Sequence, residues 1–180
     1  MKSRRDHMKK TIIVVDMQND FVTGSLGTKE ACKTVPVIEK LLKENQENQI
    51  IFTQDTHHED YLSTSEGKML PVEHCMKGTK GWEIIPELKE WTHQAIMVEK
   101  PTFGSLKLPQ LISQNQPEQI VLVGVCSDIC VISNALILKA YFPETPIIVY
   151  ENACAGVTPD KHQAAIETMK SCQIDVQTYL

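Results

Sequence analysis

The sequence predicts an α/β fold: a three-layer α/β/α sandwich with a mostly parallel central sheet. Three observations carry this expectation. Six aliphatic, β-branched runs recur along the 180 residues, at 11–16, 49–55, 95–100, 119–124, 146–151 and 174–179. Segments with helical spacing of apolar residues fall between them, notably 34–48, 105–114, 128–141 and 159–172. Polar residues gather at one end of the runs, where ligands of open parallel sheets bind.

Each element follows in order. The first run, TIIVVD, ends in Asp16, and the helix over 34–48 leads to IIFTQD, which ends in Asp55. The third run, AIMVEK, ends in Lys100 and precedes the helix over 105–114. The fourth, IVLVG, passes directly into CSDIC, where Ser127 or Asp128 is placed to cap the helix over 128–141. In that helix Ile129, Val131, Ile132, Leu136, Ile137 and Leu138 leave few polar sides. Such a helix is buried in its own core or against another subunit, so a homo-oligomer is one expectation. The run 146–151, the helix 159–172 and the run 174–179 complete the alternation. No repeat, low-complexity tract or linker interrupts it, so one domain is expected over residues 1–180.

Composition narrows the function. Apolar residues make up 42% and charged residues 23%, with a net charge of -5 and no basic stripe. This argues against nucleic acid or an anionic membrane as the partner. No apolar run approaches the roughly 20 residues needed to cross a bilayer. The basic start, Met1 to Lys10, meets too short an apolar run for a signal peptide, so a cytoplasmic location is expected. Met8 offers a second start, and residues 1–8 are expected to form a flexible extension. Six dispersed cysteines do not suggest a disulfide scaffold.

Four strand ends thus bring two carboxylates, an ammonium and a thiol to one rim. Cys130 falls in the first turn of its helix, where free N–H groups and the dipole favour a thiolate and can stabilise an oxyanion. It is either a nucleophile or a small hydrophobe packed among Ile129, Val131 and Ile132. A nucleophile needs a base, and Asp16 serves if burial raises its pKa. Lys100 then offsets the negative charges; the alternative is a structural ion pair, and spacing alone does not separate the two. After the second run, QDTHHEDYLSTSEGKMLPVEHC supplies Asp55, His57, His58, Glu66 and His74. These are either a polar surface loop or mixed O and N donors suited to Zn²⁺, Fe²⁺ or Mn²⁺.

VVDMQNDF, KPTFGS and GVCSDICV, in that order, resemble the three signatures of the isochorismatase-like cysteine hydrolases, and among them the nicotinamidases. The similarity runs from Thr11 almost to the C-terminus and includes CAGVTPDKHQAAIETM. It implies a Rossmann-like sheet, with Asp16 as general base, Lys100 as third member of a triad and Cys130 as nucleophile. It also implies a cis peptide between Val125 and Cys126, and an oxyanion hole from the N–H groups of Cys126 and Cys130. A divalent metal, zinc before iron or manganese, is implied on Asp55, His57 and His74, with Glu66 preferred over His58 as fourth ligand. Phe21 and Trp82 match residues that sandwich a ring, and Phe103 is a candidate for the same wall. The implied activity is hydrolysis of a small carboxamide, nicotinamide or pyrazinamide, to the acid and ammonia, with a place in NAD salvage. The rivals are a related hydrolase of ureido or N-carbamoyl substrates, or a non-catalytic relative that binds metal and ring.

Overall fold

In a computed structural model, residues 9–180 are described; the expected extension over residues 1–8 lies outside them. Six strands form one sheet: β1 (Lys10–Val15), β2 (Gln49–Asp55), β3 (Ile96–Lys100), β4 (Gln119–Val125), β5 (Ile147–Ala155) and β6 (Asp175–Gln177). Their order is β3-β2-β1-β4-β5-β6, and every neighbouring pair is parallel. The chain therefore builds outward from β1 in one direction and then from β4 in the other. The crevice that this reversal opens lies at the carboxyl ends of β1 and β4.

Alternate residues of a strand face opposite sides, and both sides here are apolar. Ile12 and Val14 of β1 pack with Ile38, Leu41 and Leu42 of helix α2 (Lys29–Glu44). Ile13 and Val15 face Leu108 and Ile112 of α4 (Lys107–Ser113) and Ala135 and Leu138 of α5 (Ile132–Tyr141). Ile166 and Met169 of α6 (Pro159–Ser171) complete that layer. The three-layer sandwich is as expected.

The details differ where tertiary contacts outweigh local pattern. Helix α2 starts five residues earlier than expected, at the Thr28 cap, whose side chain accepts the Ala31 N–H; the helix then continues through Pro36. Strand β5 runs on to Ala155, because Cys154 and Ala155 pair with Gly124 and Val125 beyond a register shift. Neither Ser127 nor Asp128 caps a helix. A wide turn precedes α5, closed by the Val131 N–H on the Cys126 carbonyl five residues back (3.0 Å). On α5 itself Ala135 and Leu138 are buried, while Leu136 and Tyr141 remain exposed. Two short helices that the sequence pattern does not announce are α1 (Asn19–Val22) and α3 (Ser65–Met69). Among the described residues no helix is long and apolar enough to cross a membrane.

Candidate active site

Asp16 directly follows β1 in the left-handed region (φ 49°), a conformation that costs an aspartate little compared with other side chains. Its N–H donates to the Thr53 carbonyl (3.2 Å), and its Oδ1 accepts the Thr53 hydroxyl (2.6 Å). Its Oδ2 lies 2.6 Å from the Lys100 ammonium. Lys100, at the end of β3, also reaches Cys130 Sγ (3.4 Å), Asp55 Oδ1 (3.3 Å) and the Thr102 carbonyl (3.3 Å). All three side chains are sealed from solvent, with Asp16 0%, Lys100 1% and Cys130 5% exposed.

This environment sets the charges. Burial, helped by the Asp55 charge and opposed by Lys100, raises Asp16 above the usual carboxylate range. Burial and then the Asp16 charge push the Cys130 thiol well up, with Lys100 opposing them. Burial works against a charge on Lys100, yet the Asp16 and Asp55 carboxylates outweigh it and keep the ammonium protonated. The sequence led us to expect a thiolate favoured by a helix N-terminus. Instead Cys130 sits in the wide turn before α5, buried beside a carboxylate, and its resting form is the thiol. Such a sulfur needs a base at the moment of attack, and Asp16 is the adjacent one. The peptide between Val125 and Cys126 is cis.

Beside this trio lies the second cluster. Asp55, His57, Glu66 and His74 each offer one atom, and the four atoms lie within 4.8 Å of one another. His57 Nε2 is 3.0 Å from Asp55 Oδ2 and 3.6 Å from Glu66 Oε1. His74 Nε2 is 3.5 and 3.6 Å from the same two oxygens. Ligands about 2.1 Å from a tetrahedral zinc stand about 3.4 Å apart, so the donor set fits a divalent ion. His74 Nδ1 donates to the Val72 carbonyl (2.8 Å), which turns Nε2 toward the cluster. Burial opposes a charge on His74, yet hydrogen bonds to Asp55 and Glu66 push it up to about 10. The two carboxylates thus already call for a cation. Glu66 enters from α3, whereas His58 is exposed and outside the cluster.

The aromatic candidates separate. Phe21 is half-buried with its ring 5.5 Å from that of His74. Trp82 donates its indole N–H to the Thr56 hydroxyl (2.9 Å). Phe103 is 44% exposed, and only its carbonyl is tied in, accepting from Asn134. Tyr61, absent from the sequence reading, is buried with its ring 4.6 Å from His57 and 5.1 Å from His74. Its one sequence signal is an aromatic in an otherwise polar stretch. Ser127 and Asp128, expected as caps, find other partners: the Ser127 hydroxyl meets His162 Nδ1 at 2.9 Å, while Asp128 accepts the Val157 N–H (3.0 Å), and together they tie the nucleophile turn to the start of α6. An open cavity of about 670 Å³ has His57, His58, Asp60 and Lys77 among its lining residues, outside the buried trio.

A family model described as an isochorismatase domain matches residues 10–179. The chain belongs to the isochorismatase family. The nicotinamidase of Schizosaccharomyces pombe is 26% identical over 204 residues, covering 92% of this chain and 91% of its own. The pyrazinamidase of Pyrococcus horikoshii, solved in complex with zinc, matches with a TM-score of 0.82 at 25% identity, covering 95% of this chain and 99% of its own. N-carbamoylsarcosine amidase from Thermoplasma acidophilum matches at 0.79 and 28% identity, covering 96% and 97%. Within the isochorismatase family this chain is a nicotinamidase-like member, a hydrolase of the cysteine-dependent amidase type.

Proposed function

We propose that this isochorismatase-family chain is a cytoplasmic nicotinamidase, hydrolysing nicotinamide and pyrazinamide to the acid and ammonia. The observation that carries the reading is the reach of one ammonium: Lys100 lies 2.6 Å from Asp16, 3.4 Å from Cys130 and 3.3 Å from Asp55. Thiol, base and metal-fitting cluster are therefore one polar site, which suits a substrate with a ligating ring nitrogen a few ångströms from its carboxamide.

Cys130 Sγ attacks the carboxamide carbon while its proton passes to Asp16. The oxyanion is held by the N–H groups of Cys126 and Cys130. The C–N bond breaks as Asp16 returns the proton to the departing nitrogen, releasing ammonia and leaving a thioester on Cys130. Asp16 then takes a proton from the attacking water; the acid leaves and the thiol is restored. Lys100 stays protonated throughout and stabilises the carboxylate form of Asp16. A divalent ion, zinc by preference, on Asp55, His57, Glu66 and His74 would supply Lewis-acid ligation for the ring nitrogen. In this reading Phe21 and Trp82 flank the flat ring, and Phe103 contributes to the same wall.

The test is ammonia release from nicotinamide and pyrazinamide against an N-carbamoyl amine. Wild type should prefer the two ring carboxamides, and Cys130→Ala should lose turnover by several orders of magnitude while staying folded. Cys126→Ala should keep much of its activity, since only the backbone at that position is used. Preference for the carbamoylated amine would move the assignment to the activity that the Thermoplasma acidophilum enzyme is named for.

A further inference from the structure

His74 stands in a stretch without regular structure, followed by Cys75 at φ 48°. A ligand in such a position needs something else to hold it; the backbone of His57 pairs with Cys75 and Lys77 (3.0 and 2.9 Å), and three consecutive residues after β1 make further contacts. The buried Gln18 clasps the end of β2: its Oε1 accepts the Asp55 N–H (2.8 Å) and its Nε2 donates to the Asp55 carbonyl (2.8 Å). The same Nε2 donates to the Trp82 carbonyl (2.9 Å). Asn19 donates from its side chain to the carbonyls of Lys80 (2.8 Å) and Glu83 (3.1 Å). Asp20 donates its N–H to the Gly81 carbonyl (3.0 Å), and its Oδ2 accepts the N–H of Cys75 (2.8 Å).

The carboxylate of Asp20 fills room that glycine leaves. A Cβ at Gly81 would overlap it, and one at Gly24 would crowd its other oxygen. Cys75 is fully buried, so without Asp20 its N–H would lose its acceptor away from water. The loop carrying His74 and Trp82 is thus fastened beside His74 and again over residues 80–83, and the same tripeptide grips the backbone of Asp55. None of the three residues belongs to the ligand set: Gln18 grips the backbone of Asp55, Asp20 holds the N–H that follows His74, and Asn19 fastens the same loop further on, at Lys80 and Glu83.

We propose that Gln18, Asn19 and Asp20 form the positioning clamp of the metal centre, with Asp20 setting the place of His74 through the Cys75 N–H. The proposal rests on the ligand set named above. Partners one shell removed from a metal typically change its affinity by about 10–100-fold when lost. The single signature VVDMQND would then deliver both the base of the reaction and the frame for its ion.

The decisive measurement is the zinc Kd of the full-length, metal-free chain by chelator competition, with near-UV circular dichroism to confirm folding. Asp20→Ala should raise the Kd by about 10–100-fold. Asp20→Asn, which keeps an acceptor oxygen at the same reach, should stay close to wild type. Gly81→Ala should copy Asp20→Ala, because its methyl takes the carboxylate's place, and it reads the same contact if Asp20→Ala does not fold. Wild-type zinc affinity in Asp20→Ala or Gly81→Ala overturns the clamp alone. A wild type that takes up no zinc overturns the ligand set and the clamp with it.

Discussion

Lys100 is surrounded by groups from the ends of β1 and β2 and from the turn before α5, and its charge sets theirs. Exchange for methionine keeps the bulk but leaves Asp16 and Asp55 buried without their shared counter-ion. Lys100→Met should therefore lose turnover and about 3–5 kcal/mol of stability at neutral pH, measured by urea unfolding. The sign of its pH dependence follows from linkage. Lys100 lowers both carboxylates, so its removal raises their folded pKa values, and the deficit should shrink as pH falls and they protonate. Thr53 gives a finer test. Its hydroxyl favours the charged form of Asp16, so Thr53→Val should raise Asp16 further. Because the base works only when ionised, the acid limb of kcat/KM should lie above the ordinary carboxylate range in wild type. It should move to still higher pH in Thr53→Val; an unmoved limb would take Asp16 out of the titration that limits the reaction.

At the scale of elements, β1 and β4 meet at the point where the sheet reverses, and Gly124 makes their closeness possible. It has φ 114°, and a Cβ there would overlap the carbonyl oxygen of Val15. Gly124→Ala should push β4 away from β1 just before the nucleophile turn, costing at least about 2–4 kcal/mol in urea unfolding and most of the turnover. A variant as stable as wild type would mean that the turn does not depend on this approach. The first five strands were readable because each carries an apolar run, whereas β6 keeps only Asp175–Gln177 of the run expected over 174–179; Asp16, Asp55 and Lys100 were readable because a polar residue at the end of such a run stands out. The stretch between β2 and β3 was not readable in this way. Glu66 and Tyr61 owe their places to α3, capped by Thr64, and to the Tyr61 hydroxyl on the Leu70 carbonyl, none of which leaves a period in the sequence. Residue types alone offered Glu66 only as one donor of an open set with His58, the family resemblance preferred it, and nothing pointed to Tyr61. Likewise Ser127 and Asp128 looked like caps from sequence alone, because their true partners, His162 and Val157, are about 30 residues away.

For the whole molecule, the metal-fitting cluster joins distant pieces: Asp55 from the end of β2, His57 just beyond it, Glu66 from α3 and His74 from the clamped loop. An unfolded chain does not hold these four atoms together, so any ion they bind is linked to folding. Binding to the folded state alone stabilises by RT ln(1 + [L]/Kd), about 2.7 kcal/mol at a hundred times Kd. For a chain of this length each kcal/mol moves the melting temperature by about 2–4 °C, which predicts a rise of roughly 5–11 °C on adding zinc at that excess. The shift should reverse with a chelator and vanish in His57→Ala, which removes a ligand. It should persist in Cys130→Ala, because the thiol sits across Lys100 from the cluster and is not one of its donors. If Cys130→Ala loses the shift, the ion is held by the nucleophile, and the division of the site into a ligand set and a thiol is wrong. If wild type shows no shift with zinc, iron or manganese, the four residues are a hydrogen-bonded network held by the proton on His74.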